Sequence, residues 1–108
     1  GIPVVPDDRT HVYHQYTVDV GDERDAVVAD LKEAGIGTGI FYPIPIHRQQ
    51  YILERGIHAD LPVTDRAARR SVSLPMHPGL SENDQATVID AVRTAFARHS
   101  VTEELAAR

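Results

Sequence analysis

The apolar pattern of this chain changes period at Gly21, and that switch fixes the class of fold open to it. In HVYHQYTVDV, residues Val12, His14, Tyr16, Val18 and Val20 fall on one face and His11, Tyr13, Gln15, Thr17 and Asp19 on the other. Period-two alternation with one mostly apolar face predicts a half-buried strand. One-sided burial favours an antiparallel or mixed sheet. In GDERDAVVADLKEAG the spacing turns helical through Val27, Val28, Leu31 and Ala34. That predicts a helix over 23–34, with Asp22 as N-cap and Gly35 as a left-handed C-cap. A chain that holds both periods side by side must pack a helix against a sheet.

The same reading continues downstream. IGTGIFY predicts a second strand, with Ile36, Thr38 and Ile40 on one face and Gly37 and Gly39 leaving the other nearly bare. Glycine in a strand marks a close approach by backbone or ligand. Pro43 and Pro45 cannot donate ladder hydrogen bonds, so the strand must end near Tyr42. IHRQQYILERG predicts a short helix stopped by Gly56, and DLPVTDRAARRS another with Thr64 as N-cap. SVSLPM predicts a third strand with Val72, Leu74 and Met76 on one face. Ser81 and Asp84 form a capping box with Asp in place of Glu, opening a helix whose stripe is Val88, Ile89, Val92, Ala95 and Phe96, to about His99. The order is β-α-β-α-α-β-α: an α/β, two-layer α+β domain with a small mixed or antiparallel sheet of about three strands and helices on one side. The opposite sheet face is left for something else, such as another domain. Residues 1–108 form a single domain, with 1–10 a lead-in and 100–108 a frayed or disordered tail.

Composition excludes several function classes. A formal charge of −5 gives no basic surplus for nucleic acid. No apolar run approaches the roughly 18 residues of a membrane span. The absence of cysteine removes disulfide and thiolate chemistry and fits a cytoplasmic protein. The first residue is Gly1, not methionine, so a processed product or a piece of a longer protein is expected.

Six histidines raise a metal site, but His11 and His14, three apart on a strand, point to opposite faces. His14 is expected in the core, hydrogen-bonded, while His47, His58 and His77 lack ligand spacing. No G-x-S-x-G, G-x-x-x-x-G-K-[ST] or G-x-G-x-x-G motif occurs. AARR reads as a solvated helix face. The single lysine, Lys32, lies beside Glu33, one position off the apolar stripe of its helix, and reads as a surface residue and not as a Schiff-base lysine. The segment GIFYPIPIHRQQY, residues 39–51, remains. Its rings either plug a core or form the wall of a pocket, in which prolines fix the backbone and Tyr42 and His47 offer hydrogen bonds.

The series HVYHQYTV, RDAVVADLKEAGIGTGIFYPIPIHRQQY and LPVTDRAARRSVSLPMHPGLSENDQATVIDAVRTAF, spanning roughly residues 11 to 97, resembles the C-terminal domain of the DegT/DnrJ/EryC1/StrS aminotransferases. The resemblance implies a pyridoxal-phosphate-dependent, fold type I enzyme that moves an amino group to a keto group on a nucleotide-linked sugar. It implies a homodimer in which a missing N-terminal domain carries the cofactor lysine, so this chain alone binds no cofactor and supplies no catalytic residue. Where the family pattern often has His-Tyr-Pro, this chain has Phe41-Tyr42-Pro43. By resemblance Tyr42 lies near the sugar, with Phe41 beside it. His47 matches the histidine that follows the second proline, in a substrate-side or helix-capping role. A sugar dehydratase on the same framework is the alternative within the family. A free-standing α/β module that binds a small metabolite or regulates is the alternative outside it.

Overall fold

The apolar alternation around Val18 and that around Val72 meet as two short strands, β1 (Tyr16–Asp19) and β2 (Ser71–Leu74). They pair antiparallel, Tyr16 opposite Leu74 and Val18 opposite Val72. In this computed structural model the backbone is described for residues 1–106 and the side chains for residues 1–99. The remaining elements are α1 (Arg24–Glu33), a 3-10 turn (Ile46–Arg48), α2 (Gln50–Glu54), α3 (Pro62–Arg70) and α4 (Glu82–Ala106).

The core lies between the apolar sheet face and two helices. Val18, Val20 and Val72 pack with Val27, Leu31 and Ile36 from α1 and its exit, and with Val88 and Ala95 of α4. Val27, Leu31 and Val72 are almost wholly buried, and each such side chain contributes about 1.5–3 kcal/mol by leaving water. Polar clasps add to this packing: Asp30 of α1 meets His99 at 3.1 Å and Arg98 at 3.4 Å on α4. The other sheet face is polar. Thr17 and Ser73, opposite each other, share a 2.7 Å hydroxyl–hydroxyl hydrogen bond.

The class is the one expected, with two strands where about three were predicted. The predicted strand over 36–42 reduces to one antiparallel bridge on the free edge of β2: Gly39 donates to Ser73 O at 3.0 Å and accepts from Ser73 N–H at 2.7 Å. Gly37 and Gly39 bring no side chains to extend the ladder, and Pro43 and Pro45 close it off. The first strand starts at Tyr16 instead of His11. Tyr13 has a positive φ of 47°, and its N–H donates to His11 Nδ1 at 2.7 Å, a turn that breaks the alternation. His14 is therefore exposed, not a core histidine.

Several helix boundaries also move. Asp22 does not cap α1. Glu23 holds the N-cap position without a side-chain hydrogen bond, while Asp22 is drawn to Arg70 Nη1 at 3.1 Å. The buried stripe of α1 is Arg24, Val27 and Leu31, and Ala34 is exposed. Gly35, at φ 78°, does take the left-handed exit that lets Ile36 N–H reach Leu31 O. Gln49, in an extended conformation, splits the helix expected after Ile46 into the 3-10 turn and α2. Thr64 is not the N-cap of α3, because Pro62 starts the helix earlier with Leu61 before it. Pro75 ends β2, leaving Met76 exposed. Ile89 is likewise exposed on α4, whose inner stripe is Val88, Ala91, Val92, Ala95 and Phe96. The capping box holds as predicted: Asp84 N–H donates to Ser81 Oγ at 3.1 Å, and Ser81 N–H to Asp84 Oδ2 at 3.3 Å. The helix it opens passes His99 and reaches Ala106. The last two positions of the predicted tail, 107 and 108, lie outside the described residues.

Candidate functional site

After the Gly39 bridge the chain leaves the sheet, and the two prolines keep it extended and away from the core. Phe41 and Tyr42 meet edge to face, centroids 5.9 Å apart and planes at 81°, across a cis peptide bond. They are 50% and 76% exposed. Ile44, Ile46 and Tyr51 also stand more than half exposed. Exposed apolar side chains grouped in this way are characteristic of contact surfaces. Within this chain Phe41, Tyr42 and Tyr51 therefore do not plug the core.

These side chains form one wall of an open cavity of about 590 Å³. The facing wall is α3, through Thr64, Ala67 and Ala68, with Ser71 at its foot. The lining is mainly apolar, with hydroxyls from Tyr42, Tyr51 and Thr64 and the amide of Gln49 available for hydrogen bonds. Phe41 and Tyr42 also border a second hollow of about 630 Å³ that runs past Gly39 and Ser73 to His14 and Met76. The two rings thus stand as a partition between two recesses. Gly39 permits this: a Cβ there would fall on the Phe41 ring. The close approach foreseen for that glycine is made by a side chain of the segment itself.

His47 points inward from the 3-10 turn and is 7% exposed. Its Nε2 lies 3.1 Å from Asp65 Oδ1 of α3, at ion-pair distance but off the line of a hydrogen bond. Arg48 grips the same carboxylate as a fork, Nε to Oδ1 at 3.2 Å and Nη2 to Oδ2 at 2.7 Å. Those hydrogen bonds from Arg48, helped by His47 and opposed by desolvation, hold the Asp65 carboxyl at about 2 against an ordinary 3.8. Sequence reasoning singled out the segment that carries Phe41 and Tyr42 but not α3, which faces it across the cavity. The available signal was the run of small residues Thr64, Ala67, Ala68 and Ser71 at helical spacing.

The AARR face is also not simply solvated. Arg70 reaches Asp19 at 3.0 Å and Asp22 at 3.1 Å. Arg24, buried, donates from Nη1 to Ala68 O at 3.1 Å and to Ser71 O at 3.3 Å, so it satisfies carbonyls at the C-terminal end of α3. Lys32 is exposed in the last turn of α1, which packs on the apolar side of the sheet, away from the ring-lined cavity. Among the described residues no group of three or more His, Asp or Glu is placed to hold a metal ion, and no helix is long and apolar enough to cross a membrane.

Comparison with known proteins agrees with this architecture. The model of the DegT/DnrJ/EryC1/StrS aminotransferase family matches residues 1–93. The chain is 41% identical over 98 residues to a pleiotropic regulatory protein of Geobacillus stearothermophilus, covering 90% of this chain and 26% of the relative. It is 45% identical over 80 residues to UDP-2-acetamido-2-deoxy-3-oxo-D-glucuronate aminotransferase of Pseudomonas aeruginosa, covering 74% and 21%. Among solved structures it resembles the aminotransferase TlmJ from Streptoalloteichus hindustanus, with a TM-score of 0.81 and 33% identity over 91% of this chain and 26% of that one. A DegT DnrJ EryC1 StrS aminotransferase from Brucella abortus gives a TM-score of 0.76 at 33% identity, over 86% and 25%. The chain thus spans about a quarter of the length of the proteins it matches. With nearly its whole length matched by one family model, a helix-on-sheet fold shared with solved members and the ring segment inside the matched region, the chain belongs to the DegT/DnrJ/EryC1/StrS aminotransferase family.

Proposed function

We propose that this chain is the C-terminal small domain of a pyridoxal-phosphate-dependent aminotransferase that acts on a nucleotide-linked keto sugar. Tyr42 and Phe41 form the sugar-facing wall of a composite site, and His47 fixes that wall from behind. The observation that carries the reading is the exposure of Tyr42, 76%, on a stiff segment that has an open cavity beside it. Two relatives support the substrate class: the one from Pseudomonas aeruginosa is named for a UDP-linked 3-oxo sugar, and one from Acidithiobacillus ferrooxidans for a UDP-linked 3-dehydro sugar.

The residues present do not fit the cofactor. Lys32, the single lysine, is exposed on α1 and lines neither of the recesses that Phe41 and Tyr42 border. Pyridoxal phosphate belongs on the remainder of the protein, within a homodimer, and this chain's part is confined to binding and orientation. A wall that holds the sugar in a reactive pose lowers the barrier by removing unproductive orientations.

The test is Tyr42→Ala in the full-length enzyme. A fall in kcat/KM for the nucleotide-linked sugar of about tenfold or more is expected, and an unchanged value would contradict the reading. Tyr42→Phe separates ring from hydroxyl. A second reading, a regulatory or metabolite-binding module, draws on the name of the Geobacillus stearothermophilus relative. It predicts that the chain without the remainder binds a small metabolite and that Tyr42→Ala leaves amino transfer unchanged.

A further inference from the structure

One of the two cavity walls, α3, is fastened at its two ends by different devices. No residue of α3 is buried, so apolar packing does little to hold that helix in place. Its C-terminal end is held by Arg24 on Ala68 O and by Arg70 on Asp19 and Asp22, with Val20 N–H donating to Arg70 O at 2.9 Å. Its N-terminal end has, among the described residues, one side-chain fastening to another element, which is Asp65. That carboxylate takes Arg48 as a fork and faces His47 at 3.1 Å, so two consecutive residues of the 3-10 turn meet one group on α3. Thr64 and Ala68, on either side of Asp65 along the helix, line the cavity, and so do Pro45, which precedes the turn, and Ile46, which opens it.

From this arrangement we propose that Asp65 is a positioning residue: it holds the N-terminal end of α3 against the ring-bearing segment and so sets the spacing of the two cavity walls. Its effect on sugar turnover rests on the reading of Tyr42 as the sugar-side wall. The fork is geometrically demanding. Arginine and carboxylate meet in one plane through two parallel hydrogen bonds, so the contact fixes orientation as well as distance. His47, buried behind it, supplies the rigid side of the joint. Wall displacements of about 1 Å are enough to change a rate by orders of magnitude.

The test uses Asp65→Asn, Asp65→Glu and Arg48→Met in the full-length enzyme. Arg48 is half exposed, so its loss removes the fork without opening the interior. Two readouts keep the questions separate. The first is amide hydrogen exchange. Asp65→Asn and Arg48→Met should speed exchange in the first turn of α3 while leaving the Ala68–Arg70 end unchanged. Equal protection at both ends in the variants would overturn the proposal.

The second readout is kcat/KM for the nucleotide-linked sugar. Asp65→Asn should lower it roughly tenfold, and Asp65→Glu should recover most of that loss. In a Tyr42→Ala background the Asp65→Asn loss should shrink, because Asp65 on α3 acts on turnover through the placement of the ring-bearing wall that carries Tyr42. Losses that simply multiply, or no loss from Asp65→Asn where Tyr42→Ala has one, would overturn the proposal. Should Tyr42→Ala itself have no effect while exchange at the first turn of α3 rises, the sugar-side reading falls and the fastening of α3 by Asp65 stands.

Discussion

Asp65 and Gly39 are the two residues on which the local account can be checked most sharply. The Asp65 carboxyl is held at about 2 in the fold against 3.8 in an unfolded chain, first by Arg48 and then by His47. A depressed carboxyl stabilises the fold fully above its unfolded value and loses that contribution as pH falls through its folded one. The stability difference between wild type and Asp65→Asn should therefore be constant above about pH 4 and shrink between about 4 and 2. Urea midpoints on either side of that window check this. Comparing the two proteins cancels Asp19 and Asp84, which are also lowered and lose their own contributions in acid. At Gly39, an added Cβ would strike the Phe41 ring. Phe41 is half exposed and can swing away, so Gly39→Ala should disturb the ring geometry more than the fold. The upfield ring-current shifts from the 5.9 Å edge-to-face contact with Tyr42 should be lost from the aromatic proton spectrum.

At the scale of elements, stability rests on the β1–β2 pair clamped by α1 and α4. Leu31→Ala leaves a cavity at the α1 position where 1% of the side chain reaches solvent. Its expected cost is about 2–5 kcal/mol in chemical denaturation. Ser81→Ala removes the hydroxyl that accepts from Asp84 N–H and should cost about 1 kcal/mol. Helix α1, the capping box and both sheet strands were legible in the sequence, because periodicity and cap chemistry are local. The boundaries that moved did so for non-local reasons. Asp22 left its expected cap for Arg70, which is 48 positions further along the chain. The first strand lost its early half to the turn at Tyr13, and the glycine-rich strand kept one bridge because it had no side chains to pack. The site was legible in part for the same reason. Phe41 and Tyr42 are neighbours in sequence, whereas the wall they face comes from a helix whose small residues carry no chemical signature of their own.

At the scale of the whole molecule, the chain corresponds to about a quarter of the proteins it matches. Its described surface fits that of a part: the core is small, and three exposed rings, Phe41, Tyr42 and Tyr51, line one open cavity. A cavity with one wall built on a bridge-anchored loop and the other on an unburied helix is suited to being completed by another surface. If the ring segment is the sugar-side wall, a nucleotide-linked sugar must come to rest against it. The most direct measurement is amide hydrogen exchange of the full-length enzyme with and without the nucleotide-linked keto sugar. The account predicts slower exchange on sugar binding across residues 39–51 and the first turn of α3, with the α1–α4 core unchanged. Unaltered exchange throughout 39–51 at saturating sugar would contradict it.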